Sequence, residues 1–182
     1  MVFVEKAYAA VIIKPDAVRD ILEEMTIQDL EDGAGVTPIF RKFWKITEDL
    51  ARLIYPTWVE RLEFPSMVHN ITQGKSLFVV VSGDNNIYES LTRVKGKMNQ
   101  GGLRLKYRTR SIEEWQVLGY QGRELQNKIA ENRLHTTDDF EETIMLCTLA
   151  MNYHEVIALE SIADLLVADI RLKTAIQPWT AP

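Results

Sequence analysis

The sequence predicts an α/β (α+β) fold in which a four-stranded antiparallel sheet has helices packed on it. Strand-like and helix-like segments alternate along the chain in the order β-α-β-α-β-α-β-α. Two strands lead directly into helices that must return across the sheet, and an antiparallel sheet with helices on one face allows this with short connections. This is the ferredoxin-like arrangement. Periodicity alone leaves a small parallel α/β sheet open.

The first predicted strand and helix meet at a proline. Residues 8–13 form an apolar strand that ends at Lys14, because a residue before proline favours extended geometry and Pro15 can open a helix. Asp16 is the predicted N-cap, and the helix runs to Gly33. Its buried face is predicted from residues at helical spacing, namely Val18, Ile21, Leu22 and Met25.

The next segments predict two strands separated by a short helix and a loop. Residues 36–46 have the composition of a strand. Thr47 is a predicted N-cap for a helix that must end before Pro56. Residues 64–74 are predicted to be a loop. Residues 76–82 predict a strand buried on both sides, since they form a continuous apolar run.

The second half of the chain is less regular. Its predicted elements are an amphipathic helix at 87–98, a loop with one short helix at 103–129, a short strand at 130–136 and a helix at 139–151. Thr137 or Asp138 is the predicted N-cap of this last helix. A further helix is predicted from a stripe at helical spacing: Leu159, Ile162, Leu166 and Ile170.

The chain is predicted to hold one domain with an extension. Its 182 residues suit a compact domain of about 150 residues plus an additional segment. We place the domain at 1–151 and a C-terminal helical extension at 152–182. An apolar fraction of 46% and a charged fraction of 26% are typical of globular proteins, which argues against disordered, collagen and membrane classes.

Charge and cysteine content restrict the partners and the compartment. The net charge of −5 would repel a phosphate backbone, so we expect no strong nucleic-acid binding. Cys147 is the single cysteine, which excludes an intrachain disulfide and a cysteine zinc site. No apolar stretch approaches the roughly 18 residues that span a bilayer. We therefore expect a cytoplasmic protein without a membrane segment.

Phosphate binding, if present, must use isolated cations. The chain has neither a GxxxxGK[ST] phosphate loop nor a GxGxxG motif that opens a helix after a strand. Lys14, Arg93 and Arg104 lie at ends or edges of predicted elements, where a cleft could form. Each of them taken alone is more simply explained as a solvated charge.

His135 has the most informative neighbourhood of the three histidines. A histidine is usually a surface or core residue and not a nucleophile. Here, Asn132 precedes the histidine closely and Thr137 follows it by two residues, at a predicted strand-to-helix junction. This constellation makes His135 the candidate catalytic residue.

These residues occur together in an order that resembles the nucleoside diphosphate kinase family. Residues 132–138 are similar to the family's Asn-x-x-His-x-Ser-Asp motif around its phosphorylated histidine, and residues 12–18 look like its Lys-Pro-Asp-Gly-Val segment. The ordered set, over about residues 7–150, is far more specific than any one short match. The other matching positions are Tyr55, Phe64-Pro65, 79–83, Arg93-Val94 and Gly102-Leu103-Arg104.

The resemblance implies a nucleoside diphosphate kinase that works by ping-pong exchange. His135 would attack the γ-phosphorus of a nucleoside triphosphate, and the phosphohistidine would pass its phosphoryl group to a nucleoside diphosphate. The resemblance also implies that Lys14, Arg93 and Arg104 stabilise negative charge on the phosphate oxygens.

The resemblance implies roles for five further residues. Tyr55 and Asn132 would orient the lysine and the ribose hydroxyls, and Thr137 stands where the family has an assisting serine. The base would lie against Phe64 and Met67, held mostly by apolar contact, which implies weak discrimination among bases. Each of these residues also has an ordinary structural explanation when it is considered alone.

The ligands and the assembly are implied in the same way. Mg²⁺ would arrive with the nucleotide phosphates, and the sequence shows no carboxylate cluster that would form a protein metal site. The partners would be nucleoside di- and triphosphates, and a homo-oligomer is expected.

Several positions depart from the family pattern. The family's histidine-orienting glutamate falls near Leu146, its phosphate-binding threonine near Met98, its stacking aromatic at Glu63 and its glycine beside the histidine at Thr136. Leucine cannot accept the imidazole N–H, so the histidine would need another acceptor. These departures leave an alternative open: a catalytically weak or inactive nucleotide-binding, oligomeric scaffold of the same fold.

The segment at about 105–129 is predicted to be an insertion before the active-site histidine. Its five basic and three acidic residues are interleaved with Tyr107 and Trp115, which also suits a nucleic-acid patch. An RNA-binding domain of ferredoxin-like fold is therefore a third hypothesis. A net charge of +2 over this stretch is small against the chain's negative total, so a solvated, structured loop is favoured.

Overall fold

Four strands form one antiparallel sheet. The computed structural model describes residues 6–96, 101–108 and 110–176. The strands are β1 (Ala7–Ile13), β2 (Thr37–Trp44), β3 (Ser76–Gly83) and β4 (Leu134–Thr136). Their order in the sheet is β2-β3-β1-β4, and each neighbouring pair is antiparallel. The predicted α+β fold with a four-stranded antiparallel sheet is therefore confirmed.

Helices cover both faces of this sheet, and not the single face expected from the sequence. Alternate residues of a strand point to opposite faces, so Ala10 and Ile12 join one buried cluster while Val11 and Ile13 join the other. Burial on both sides explains why β1 and β3 are continuous apolar runs. The helices of the first half are α1 (Pro15–Arg19), α2 (Glu23–Ala34), α3 (Glu48–Ile54), α4 (Phe64–Thr72) and α5 (Ile87–Lys95), and a 3₁₀ turn spans Pro56–Trp58.

The helix predicted after β1 is interrupted. The chain turns between α1 and α2, where Ile21 has a left-handed φ of 57° and is 80% exposed. The predicted N-cap was also wrong, because α1 begins directly at Pro15 and its N-cap is Lys14. Asp16 therefore lies inside the first turn and is buried. This places Lys14 at the point where β1 becomes a helix.

Two segments predicted as loops are helical. Residues of α4 were predicted to be a loop, but they form a helix with Pro65 in its first turn, where proline is tolerated. The segment predicted as a loop with one short helix contains three helices: α6 (Leu103–Lys106), α7 (Ile112–Val117) and α8 (Gly122–Ala130). A capping box in which Ser111 and Glu114 bond each other's backbone N–H starts α7.

The helices after β4 pack against the sheet and against one another. They are α9 (Phe140–Ala150), α10 (Tyr153–Leu159) and α11 (Asp164–Ile176). The N-cap of α9 is Asp139, whose side chain accepts the N–H of Glu142, and not Thr137 or Asp138 as predicted. The predicted final helix is two helices, and Ile162 of its apolar stripe lies in the break with 51% exposure. Leu166 and Ile170 of α11 are fully buried in the cluster that contains α9.

No helix among residues 6–96, 101–108 and 110–176 is long and apolar enough to cross a membrane.

Candidate active site

A cavity of about 820 Å³ opens beside the end of β1 and the strand β4 that pairs with it. Its lining includes seven buried or partly buried polar side chains, which we call the polar cluster: Lys14, Tyr55, Lys95, Arg104, Asn132, His135 and Glu142. Four exposed residues of the lining form what we call the rim: Trp58, Glu63, Gln126 and Lys173. A cavity of this size suits a small ligand such as a nucleotide.

Lys14 and Asn132 are joined across the cavity wall. The Nζ of Lys14 donates to Oδ1 of Asn132 at 2.7 Å, and the Lys14 backbone N–H donates to the Arg133 carbonyl at 2.8 Å. Lys14 is only 3% exposed. Burial, together with the positive charge of Arg104, lowers the pKa of Lys14 from 10.5 to about 8. The ammonium is therefore cationic at neutral pH but easily discharged above it.

His135 is held by a carboxylate. Its Nε2 lies 3.1 Å from Oε1 of Glu142, which stands on the first turn of α9. Burial lowers the pKa of His135 against the opposing effect of Glu142, with Lys14 and Lys95 also lowering it. Burial acts against ionisation of Glu142, but the contact with His135 and the Asp138 backbone N–H outweigh it and leave the pKa of Glu142 lowered.

These shifts determine which ring nitrogen of His135 is free. An ionised carboxylate can only accept a hydrogen bond, so Nε2 of His135 must carry the proton that Glu142 accepts. A neutral imidazole then has its lone pair on Nδ1. The ring is also packed edge-on against Tyr55, with centroids 5.1 Å apart. From the resemblance, the family's histidine-orienting glutamate was placed near Leu146; this placement was wrong, since Leu146 is fully buried one turn later and Glu142 lies against the ring.

Arg104 reaches the cavity from α6. Its Nε and Nη2 both donate to the Leu134 carbonyl, at 3.2 and 3.0 Å, which fixes the guanidinium next to β4. Burial lowers the pKa of Lys14 and of Lys95, and repulsion from Arg104 lowers both further, which is consistent with three cations in one small space. Buried like charges at this density favour an anionic ligand.

A comparison of the sequence with models of protein families agrees with this geometry. The family model described as nucleoside diphosphate kinase matches residues 7–156. The chain belongs to the nucleoside diphosphate kinase family. A search of curated proteins finds no match.

Solved nucleoside diphosphate kinases share the fold. The enzyme of Halobacterium salinarum, solved in complex with CDP, is 22% identical, with 83% of this chain and 91% of that chain covered and a TM-score of 0.63. The enzyme of Borrelia burgdorferi, solved as a transition-state mimic with vanadate and ADP, is 18% identical, with 82% and 89% covered and a TM-score of 0.64. The Encephalitozoon cuniculi enzyme is 18% identical, with 78% and 86% covered and a TM-score of 0.62. At these identities the likeness shows the fold alone.

Arg133 supports the candidate site of this nucleoside diphosphate kinase family member, and the sequence did not predict this role. It is 1% exposed and has a left-handed φ of 65°. Its Nη1 lies 2.7 Å from Oδ2 of Asp20, its Nε donates to the Tyr107 carbonyl at 3.0 Å, and its backbone N–H donates to Asp16 at 3.1 Å. One guanidinium thus ties together the segments that carry Lys14, Arg104 and Asn132. Nothing in the local pattern signalled this, because the contacts are between distant segments.

The two cations of α5 are placed differently from the prediction. Arg93 is exposed, does not line the cavity, and points its Nη2 toward the Gly33 carbonyl at 3.5 Å. Lys95 is buried and lines the cavity instead. Lys95 follows Ile87 and Leu91 at intervals of four, on the buried face of the helix. The signal that could have identified Lys95 in the sequence is a lysine on the apolar face of a helix.

The remaining predicted residues divide between the cavity and the core. Tyr55 and Met67 line the cavity. Phe64 is 3% exposed and lies in the apolar core, away from the lining. Thr137 is fully buried, and its hydroxyl accepts the Ala10 N–H at 3.0 Å, so it braces β1 instead of facing the cavity. Glu63 is on the rim, and Met98 lies outside the described residues.

Proposed function

We propose that this family member transfers the γ-phosphate of a nucleoside triphosphate to a nucleoside diphosphate through a phosphohistidine on His135. The observation that carries the proposal is the 3.1 Å contact between Nε2 of His135 and Oε1 of Glu142, which favours the ring proton on Nε2 and leaves the lone pair of a neutral imidazole on Nδ1. Lys14 and Arg104 stand around it as cations. A buried nucleophile in a cationic cavity suits attack on a phosphate.

The proposed reaction has two balanced halves. The Nδ1 lone pair of His135 forms a bond to the γ-phosphorus while the bond from phosphorus to the bridging oxygen breaks, and the nucleoside diphosphate leaves with that electron pair. A terminal oxygen of the second diphosphate then attacks the same phosphorus, and the N–P bond breaks to restore neutral His135. The Nε2 proton stays on His135 throughout, and the Glu142 carboxylate accepts its hydrogen bond and compensates the positive charge of the phosphorylated ring.

Lys14 and Arg104 provide the electrostatic part of the mechanism. Their side chains, fixed by Asn132 and by the Leu134 carbonyl, are in place before the substrate arrives. Preorganised donors of this kind stabilise the charge that spreads over the phosphoryl oxygens. Mg²⁺ bound to the nucleotide phosphates would neutralise part of their charge.

The base is proposed to rest near Met67 and Trp58. Phe64, which the resemblance implied for this contact, is behind the cavity wall, whereas the Trp58 indole is on the rim. An aromatic face binds every base by stacking. We therefore propose low discrimination among bases.

Exchange kinetics test this function. Mixing ATP with GDP should yield GTP, and varying both substrates should give the parallel double-reciprocal lines of a ping-pong reaction. His135→Ala should remove the exchange while retaining nucleotide binding. Binding of ADP by the wild-type chain without any exchange would favour the alternative of an inactive nucleotide-binding scaffold.

The proposal also covers the domain organisation of the chain, its assembly and its partners. We infer a domain at 1–151 with an insertion at about 105–129, and a helical extension at 152–182 that packs through α11 on α9. We also infer a cytoplasmic homo-oligomer whose partners are nucleoside di- and triphosphates. Size-exclusion chromatography with light scattering tests the oligomeric state.

A further inference from the structure

Helix α5 ends with two cations that have opposite environments. Arg93 is exposed and outside the cavity, while Lys95 is 8% exposed and inside it. Both are in the last turn of the same helix. Comparing Arg93 with Lys95 therefore indicates which of the two cations is placed to contact a ligand in the cavity.

Arg93 is directed to another part of the molecule. Its Nη2 lies 3.5 Å from the Gly33 carbonyl in the last turn of α2, which packs beside α5. Lys14, Arg104 and His135 all line the cavity, and Arg93 does not. A guanidinium in this position has no direct path to a phosphate in the cavity.

Lys95 is inside the polar cluster and only loosely paired. Its side chain is 10% exposed, and its ion pair is a 3.5 Å contact with Oδ1 of Asp138, whose own side chain is 75% exposed. Its positive charge contributes to the lowered pKa of both Lys14 and His135, so it faces the same space as these groups.

The charge of the buried Lys95 ammonium is only partly compensated by the groups around it. Burying an ammonium is costly unless a well-placed opposite charge and hydrogen bonds compensate it. A long contact to an exposed carboxylate compensates only in part, and Arg104 adds repulsion. A phosphate in the cavity would give Lys95 the close, charge-assisted contact that it lacks.

We propose that Lys95, and not Arg93, is the phosphate-binding residue of α5, and that Asp138 holds its ammonium until a nucleotide phosphate replaces the carboxylate. The inference rests on the proposed function for the identity of the ligand. It assigns a phosphate contact to Lys95, which the family resemblance did not indicate, in place of Arg93.

Two matched variants on one helix test it. Calorimetric titration with Mg²⁺–ADP should show a dissociation constant raised about tenfold or more for Lys95→Met, which keeps the aliphatic stem but loses a charge-assisted contact. Arg93→Met should stay within about twofold of the wild-type chain. Lys95→Arg should recover part of the affinity, and thermal unfolding of each variant shows whether the fold is intact.

Asp138→Asn gives an independent measurement. Removing the competing carboxylate should leave ADP affinity unchanged or increase it, whereas a structural role for the Lys95–Asp138 pair would lower it together with the melting temperature. Unchanged affinity in Lys95→Met, or a loss confined to Arg93→Met, would overturn the proposal.

The same titrations separate this inference from the function on which it rests. Lys95-dependent ADP binding without exchange activity would contradict the kinase proposal alone. Normal exchange with Lys95→Met at wild-type affinity would contradict the Lys95 proposal alone. A wild-type chain that binds no ADP would overturn both.

Discussion

The polar cluster and the rim belong to one cavity but differ in how they are held. In the cluster, Lys14 is held by Asn132 at 2.7 Å and His135 by Glu142 at 3.1 Å. On the rim, Trp58 is 36% exposed, and the guanidinium of Arg61 lies over its ring at 4.3 Å. Under the proposed function, bond-making and phosphate binding belong to the buried polar cluster, and contact with the base belongs to the exposed rim.

The largest expected effect is the loss of the carboxylate beside the histidine. Glu142→Ala should lower kcat by about 10²-fold, because the Nε2 proton loses its acceptor and the ring loses its orientation. Glu142→Gln keeps an acceptor oxygen and should lie between the alanine variant and the wild-type chain. Steady-state exchange assays measure both, and an unaltered kcat in Glu142→Ala would show that the ring is held by other contacts.

The buried arginine behind the cluster should have the next largest effect. Arg133→Met leaves Asp16 and Asp20 without their guanidinium and should cost about 3–5 kcal/mol of unfolding free energy, with kcat lowered about tenfold or more through displacement of Lys14 and Asn132. Urea unfolding and exchange assays measure these changes.

Arg171→Met is the matched control for Arg133. Arg171 also forms an ion pair, with Glu160, but both side chains are more than 40% exposed. Its removal should cost less than about 1 kcal/mol and leave kcat unchanged. Equal costs for the two arginines would contradict the importance of the buried network.

The pH profile of kcat/KM should report two members of the cluster. Protonated His135 has no lone pair, so activity should fall on the acid side, at a pH below the usual 6.5 because burial lowers this pKa. Loss of the Lys14 proton should lower activity again through a pKa of about 8, to roughly a tenth by one unit above it. A profile flat to pH 10 would show that Lys14 does not act as a cation in the free enzyme.

The smallest effect is expected at the rim. Trp58→Ala should raise KM about five- to tenfold, consistent with the loss of base stacking worth about 1–3 kcal/mol, while kcat changes little. Trp58→Phe should restore most of the affinity. A fall in kcat of the same size as that of Glu142→Ala would erase the distinction between the two regions.

The cavity residues that lie within short motifs could be predicted from the sequence, whereas those whose placement depends on the packing of a helix could not. Lys14, Asn132 and His135 lie within short motifs at strand ends. Glu142 and Lys95 depend on how a helix is rotated against the sheet, and an error of one turn separates Glu142 from Leu146. The sequence does not specify such rotations.

The same distinction applies to the helices and strands: those with a distinctive local pattern were predicted, and features that depend on packing were missed. The strands were predicted because continuous apolar runs such as 76–82 are distinctive. Helix breaks at Ile21 and Ile162 were missed, because an exposed isoleucine at helical spacing is indistinguishable in sequence from a buried one. Only one short helix was predicted where the structure has α6, α7 and α8, because these helices are below the length at which periodicity is reliable.

Isolation of the phosphorylated chain tests the central claim most directly. After incubation with γ-labelled ATP and removal of nucleotide, the wild-type chain should carry label that is stable in alkali and lost in acid, and mass spectrometry should locate it on His135. Addition of a nucleoside diphosphate should transfer the label to nucleotide. Equal labelling of a His135→Gln variant, or label that is stable in acid, would contradict the account.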